Sequence, residues 1–155
     1  MLVLLLITDA RVGKNADRKI SKVLRVRMLH KKRVSQSVAY LGVYAFNNCT
    51  SLSEINIPES ITEIEWGIFN GCTKLTNVII PESVKSFGDW AFGNCMKLKD
   101  VYMHGLTPPE IGYNLFDYYY EIGLAIHVPS GALETYKNAN RWSSYANYIV
   151  GDLLP

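Results

Sequence analysis

Three cysteines at a fixed interval place the strongest constraint on how this chain of 155 residues can fold. Cys49, Cys72 and Cys95 lie 23 residues apart. Aligned on that interval, residues 37–58 (SVAYLGVYAFNNCTSLSEINIP) and 60–81 (SITEIEWGIFNGCTKLTNVIIP) are identical at eight of 22 positions. A third copy, SVKSFGDWAFGNCMKLKDVYMH, keeps the same apolar register. A period of this length is typical of solenoids, in which each repeat forms one coil and neighbouring coils stack.

Each copy predicts two extended segments and one turn. The pattern L-x-x-I-x-I alternates as expected of a strand that is buried on one face, and Pro58 and Pro81 end that strand. The following S-[VI]-x-x-[ILF] stretch predicts a second extended piece, and the Phe segment after it favours a short helical or 3₁₀ turn. Since parallel crossovers are right-handed, we predict a right-handed α/β repeat solenoid with a parallel β-sheet.

The period ends in a degenerate fourth coil over residues 107–129. Leu115 and Phe116 take the places of the earlier Ala-Phe pairs, and LAIHVP is the final predicted strand. The repeat region is therefore predicted to span residues 37–129.

Residues 130–155 predict a C-terminal cap. An open solenoid would otherwise expose its apolar end and an unpaired strand edge. We expect Ser130 to cap a helix over residues 131–138, and residues 141–150 to follow with helical spacing. The inward side chains of this cap are predicted to be Leu133, Tyr136, Trp142, Tyr145 and Ile149.

Residues 1–36 are predicted to be a basic segment outside the repeats. They carry ten basic and two acidic residues, against six and twelve in the remainder of the chain. An amphipathic helix with Ile20, Val23, Leu24 and Met28 on one face could attach to anionic lipid or nucleic acid. The alternative is a poorly ordered extension or a simple cover over the first coil. The short apolar run at the N-terminus is interrupted by acidic and basic residues, so we expect neither a membrane span nor a secretory signal.

The repeats resemble the BspA-type leucine-rich repeats of bacterial and some protist surface and secreted proteins. Residues 45–67 closely match the pattern AFxxCxxLxxIxIPxSVxxIG, and residues 126–151 (IHVPSGALETYKNANRWSSYANYIVG) are similar to the closing segment of that family. The resemblance covers residues 37–151. It implies a leucine-rich repeat fold and an extracellular or cell-surface module for adhesion or protein binding, with no catalytic residues.

The x positions of L-x-x-I-x-I predict a surface on which a partner could bind. Because these side chains alternate with the buried ones, they should face outward and form columns across stacked strands. Extended surfaces of this kind are the usual binding sites of solenoids, and exposed aromatic and aliphatic side chains anchor interfaces. The hypothesised partner-binding residues are Asn56, Ile79, Tyr102, His127, Asn77 and Asp100.

No enzyme activity, cofactor or metal site is predicted. The three histidines share no motif with a nucleophile or a paired carboxylate, and the cysteines form no CxxC pair. We expect the cysteines to be small buried side chains stacked in a column.

The preferred function is a non-enzymatic surface module that binds a protein or glycan on the exposed sheet face, with neither nucleic acid nor a transmembrane segment involved. One alternative is the C-terminal end of a longer array that contacts further repeats and binds nothing itself. Another is an adaptor that uses the basic arm to hold anionic membrane or nucleic acid.

Overall fold

A computed structural model describes residues 31–34, 36, 38–117 and 123–154, and it places them in stacked coils. In these ranges, one strand from each coil joins a six-stranded parallel sheet, and the strands lie side by side in the order in which they occur in the sequence. Its strands are β1 (Lys31–Arg33), β2 (Glu54–Asn56), β4 (Asn77–Ile80), β6 (Asp100–Met103), β8 (Ala125–Pro129) and β9 (Ile149–Leu153).

A second, smaller sheet runs along another side of the stack. In the described ranges it has three parallel strands, which are β3 (Glu63–Ile64), β5 (Ser86–Phe87) and β7 (Glu110–Ile111). These are the second extended pieces that the sequence predicted. The two sheets together confirm the predicted repeat solenoid.

The predicted helical or 3₁₀ turn between the small sheet and the main sheet is a series of tight turns closed by 3₁₀-type hydrogen bonds, in which an N–H donates to the carbonyl three residues earlier. Within one coil, Asn70 N–H donates to the Gly67 carbonyl and Cys72 N–H donates to that of Phe69. The intervening N–H groups of Phe69 and Gly71 donate instead to the next coil. Because alternate amides bond within and between coils, the backbone here is satisfied without a continuous helix.

The interior is one apolar core built from the repeated inward positions. Phe46, Phe69, Phe92 and Phe116 stack through it on successive coils. Their ring centroids are separated by 5.4, 5.2 and 5.7 Å, with interplanar angles of 10°, 12° and 20°. The burial of side chains alternates along each strand. In β4, Val78 and Ile80 are buried while Asn77 and Ile79 are exposed.

All three cysteines are buried thiols that form no disulfide bond, as expected of a packing role. The thiols of Cys72 and Cys95 donate to the carbonyls of Phe46 and Phe69 in the preceding coil, at 3.3 and 3.2 Å. Burial raises the pKa of the Cys95 thiol to about 12, although a hydrogen bond with the Cys72 backbone acts in the opposite direction. A thiol with this pKa carries almost no thiolate near neutral pH, so it is a poor nucleophile or metal ligand.

Strand β1 places part of the predicted basic segment in the stack. It lies within residues 1–36, yet Lys31, Lys32 and Arg33 pair with residues 23 positions later in β2. The predicted boundary at residue 36 therefore falls too late. Backbone pairing does not require the Phe, Cys and Pro of the repeat pattern, and buried Val34 occupies the position of Ile57. The hypothesised helix face at Ile20, Val23, Leu24 and Met28 lies outside the described residues.

The C-terminal cap combines one short helix, two 3₁₀ turns and a strand. The 3₁₀ turns span Ser130–Ala132 and Trp142–Tyr148, and helix α1 (Leu133–Asn138) lies between them. Trp142 and Tyr136 are almost fully buried, and their rings meet edge to face at 5.2 Å. The indole N–H of Trp142 donates to the Pro109 carbonyl at 2.7 Å, which ties the cap to the last coil.

Two predictions about the cap were wrong. Ser130 makes no capping hydrogen bond, because it lies inside a 3₁₀ turn and α1 begins only at Leu133. Ile149 is buried as predicted but belongs to β9, which pairs with β8 as a further parallel strand. Leu133 is half-buried and packs against the core, in agreement with its predicted inward position.

Candidate binding surface on the main sheet

The structure brings the six predicted surface residues together on the outward positions of the main sheet. Four of them lie side by side on β2, β4, β6 and β8, and β9 extends this row by one valine. This central column is Asn56, Ile79, Tyr102, His127 and Val150. A parallel side column contains Asn77, Asp100 and Ala125.

The central column presents two accessible aliphatic residues, one on each side of its aromatic pair. The Ile79 side chain is 51% exposed and Val150 is 42% exposed. Tyr102 and His127 lie between them and are partly exposed. Outward aliphatic groups at these positions gain little from burial in the folded chain, so they remain available to a partner.

Tyr102 and His127 form a stacked pair within this column. Their ring centroids are 4.6 Å apart and their planes differ by 15°. Each ring restricts the other, because neighbouring parallel strands hold the two side chains in register. The pair therefore presents a rigid flat surface, which loses little conformational entropy when a partner binds.

His127 is also held between two carboxylates. Its Nε2 lies 3.2 Å from Asp100 Oδ1, and its Nδ1 lies 2.8 Å from Asp152 Oδ2. Burial acts to lower the pKa of His127, but the hydrogen bonds and charges of Asp152 and Asp100 outweigh it and raise the pKa above its usual value. A protonated ring can donate to both carboxylates, whereas a neutral ring has a single N–H.

Asp152 and Val150 are surface residues that the sequence analysis missed. Both belong to β9, whose first two residues lie in the segment 141–150 that was predicted to have helical spacing. Val128 pairs with Gly151 and Pro129 with Leu153, so Asp152 is the extra residue of a bulge. The alternation of buried Ile149 with exposed Val150 was the available signal, but the helical spacing of Trp142, Tyr145 and Ile149 obscured it.

The surface combines a flat aromatic and aliphatic centre with carboxylates on both sides of His127. In the described ranges, no group of three or more His, Cys, Asp and Glu side chains is arranged to hold a metal ion. Nor does the described part of the chain contain a helix whose length and apolarity would suit a membrane crossing.

Known proteins resemble this chain in its repeats and in its fold. The family model for the BspA type leucine rich repeat region matches residues 26–145 with six copies, and so begins earlier than the sequence analysis expected. A leucine rich cell surface protein from Faecalibacterium prausnitzii A2-165 is 26% identical, with a TM-score of 0.54 over 81% of this chain and 30% of its own. The leucine rich repeat protein of T. pallidum is 30% identical, with a TM-score of 0.56 over 66% of this chain and 47% of its own. The chain thus spans less than half the length of either protein. No curated protein matches it.

Proposed function

Because the chain belongs to the BspA-type leucine-rich repeat family, we propose that it is a non-catalytic module that binds a protein ligand on the outward face of its main sheet. The module acts at the cell surface or outside the cell, in adhesion. The F. prausnitzii protein that it resembles is itself described as a cell surface protein.

The central column supports this proposal most directly. Ile79 is half-exposed on one strand, and the rigid Tyr102 and His127 pair lies beside it on the next two strands. Interfaces obtain most of their affinity from a few aromatic and aliphatic anchors surrounded by polar contacts. The central column offers such anchors and the side column offers the polar contacts.

The charges around the column favour a basic ligand. Asp100 and Asp152 are 42% and 48% exposed at the side chain while they contact His127. Carboxylate oxygens left open to solvent can accept further hydrogen bonds from Lys or Arg of a partner. We therefore infer a protein segment that carries basic residues beside an apolar or aromatic side chain.

Selection from a displayed peptide library tests this function. Peptides selected on the intact chain should be rich in Lys or Arg next to apolar residues. Their affinity should fall at least about tenfold for the double variant Ile79→Ala and Tyr102→Ala, since two central anchors typically contribute above 1 kcal/mol each. Affinities would be measured by biolayer interferometry.

Lys97→Ala is the matched control, because Lys97 is exposed outside both columns. It should leave peptide affinity unchanged. Equal binding of the selected peptides by the wild type and the double variant would contradict the sheet-face site. Circular dichroism of each variant would confirm that the fold is kept.

The two alternative functions remain predictions. If repeats beyond this chain carry the binding, the selection should enrich no peptide that depends on Ile79 and Tyr102. If the basic segment is an adaptor, the chain should bind anionic vesicles or DNA at low salt and release them as salt rises.

A further inference from the structure

A second exposed surface lies between the small sheet and the phenylalanine stack. Four successive coils each place one aromatic side chain there, two or three residues before the stacked Phe. The members of this aromatic row are 47%, 50%, 38% and 65% exposed. They are Tyr44, Trp66, Trp90 and Tyr113.

Hydrogen bonds between coils fix the backbone of the aromatic row. Tyr44 N–H donates to the Trp66 carbonyl at 3.0 Å, and Trp90 N–H donates to the Tyr113 carbonyl at 3.0 Å. Gly67 N–H donates to the Asp89 carbonyl at 3.1 Å and so joins the two middle coils. The four aromatic residues thus lie on adjacent parallel coils, about 4.8 Å apart per step if they keep the usual strand spacing.

Two of these aromatic residues occupy an unfavourable backbone conformation. Tyr44 and Trp90 have φ values of 58° and 59°, while the equivalent positions in the other coils hold Gly67 and Asn114. Glycine and asparagine adopt this left-handed region readily, but other residues lose about 1–2 kcal/mol there. Backbone preference therefore does not explain an aromatic side chain at these positions. Strained residues of this kind commonly belong to functional sites.

The rings of the row are braced against the coils beside them. The Tyr44 ring fills the space in which a side chain at Gly67 would lie. The Trp66 ring lies against Gly88, where an added Cβ would meet its Cδ1 at 2.7 Å. At the end of the row, the Arg141 guanidinium lies 4.0 Å from the centroid of the Tyr113 ring. These contacts preorganise the aromatic surfaces before any ligand arrives.

Polar amides and a carboxylate border the rings. An added Cβ on Gly93 would meet the Trp90 ring at 3.0 Å and the Asn70 amide nitrogen at 3.2 Å, so the ring and the amide border the same space above Gly93. Asn94 donates to the Asn70 amide oxygen at 3.3 Å. Asp89 accepts the Tyr113 N–H at 2.8 Å. Amide and carboxylate groups at the edge of aromatic rings provide the donors and acceptors that sugar hydroxyls require.

We propose that the aromatic row binds an extended β-linked glycan chain, with pyranose rings stacked on Trp66 and Trp90 and hydroxyls bonded to the neighbouring amides. The C–H groups on the face of a pyranose suit an aromatic surface. One step of the coil stack is close to the length of one sugar in an extended chain. Because the four aromatic residues lie on successive coils of one stack, the surface that they form extends along the stack, which suits a ribbon-like β-linked chain, whereas α-linked chains curl away. This site is separate from the sheet face and does not depend on the proposed protein ligand.

Titration with hexasaccharides tests the proposal on the intact chain. The probes are cellohexaose, chitohexaose and xylohexaose, which share the β-1,4 linkage, with α-linked maltohexaose as the comparison. Tryptophan emission should change on binding of at least one β-linked probe, because Trp66 and Trp90 are exposed while Trp142 is buried. Calorimetry would give the affinity.

Substitutions then assign the site. Trp66→Ala and Trp90→Ala should each weaken binding about tenfold, the loss expected for one aromatic stacking contact. Trp66→Phe should keep most of the affinity, and the sheet-face double variant Ile79→Ala and Tyr102→Ala should bind as the wild type does. Three results would overturn the proposal: no response to any β-linked probe at millimolar concentration, unchanged affinity in both Trp→Ala variants, or equal binding of maltohexaose. Circular dichroism would confirm that each variant is folded.

Discussion

At the scale of single residues, His127 links the candidate surface to the C-terminal strand. Its ring contacts Asp100 on β6 and Asp152 on β9 while it stacks on Tyr102. The histidine therefore joins three neighbouring strands through side chains alone. Its charge state should affect both the stability of β9 and the charge that a ligand meets.

The raised pKa of His127 predicts a dependence of stability on pH. Since the folded state binds the proton more tightly than the unfolded state, the contribution is fully present below the ordinary pKa of about 6.5 and is lost as pH rises through the folded value. We expect Asp152→Asn to lower the free energy of unfolding by about 0.5–1 kcal/mol near pH 6 and by less near pH 8. Urea denaturation at both pH values measures this.

His127→Gln controls for other groups that titrate in the same range. In that background, Asp152→Asn should have the same small effect at both pH values. An equal loss from Asp152→Asn at both pH values in the wild type would show that the charged histidine does not contribute.

The orientation of some residues could be predicted from the sequence, whereas that of others could not. The outward positions of Ile79 and Tyr102 follow from the period of two along each strand. Asp152 was hidden, since the bulge that turns it toward His127 interrupts that alternation. The left-handed conformation of Tyr44 and Trp90 was equally inaccessible, because hydrogen bonds between coils impose it against the local preference of these residues.

At the scale of elements, the spacing of the apolar residues in the cap is compatible with more than one secondary structure. Trp142, Tyr145 and Ile149 lie three and four residues apart, which is the spacing of a helix face. The structure places the first two in a 3₁₀ turn and the third in β9, and all three remain buried. The sequence thus predicted their burial correctly, but their secondary structure depends on the open edge of β8, which is a tertiary feature.

Trp142 should be essential to the cap. It is 1% exposed, and it contacts Tyr136 while donating a hydrogen bond to Pro109. We expect Trp142→Ala to lower the free energy of unfolding by about 3–5 kcal/mol, the range for large aromatic truncations in a core. Hydrogen exchange should show β9 losing protection, and urea denaturation gives the magnitude.

Trp90→Ala is the matched control, because it makes the same chemical change at an exposed position. Its effect on stability should be clearly smaller, about 1 kcal/mol, because part of the ring is already exposed to solvent in the folded chain. Comparable losses in the two variants would contradict the packing role assigned to Trp142.

At the scale of the whole molecule, stacked coils generate every surface described above. The 23-residue period places equivalent residues on adjacent coils, so inward positions form one core and outward positions form columns. The repeat architecture and its apolar columns could be predicted from the sequence, because apolar residues that recur every 23 positions must face the same core on each coil. The place of β1 in the stack could not, since β1 joins the sheet by backbone pairing without the repeat's signature residues.

Contacts between aromatic rings test the stacking most directly. Nuclear Overhauser spectroscopy on protein with labelled aromatic rings should show cross-peaks linking Phe46 to Phe69, Phe69 to Phe92 and Phe92 to Phe116, whose centroids lie 5.2–5.7 Å apart. A cross-peak should also join Tyr102 to His127 on the outer face, at a centroid distance of 4.6 Å. Folded protein in which these successive cross-peaks are missing would contradict the in-register coils, and with them both binding surfaces.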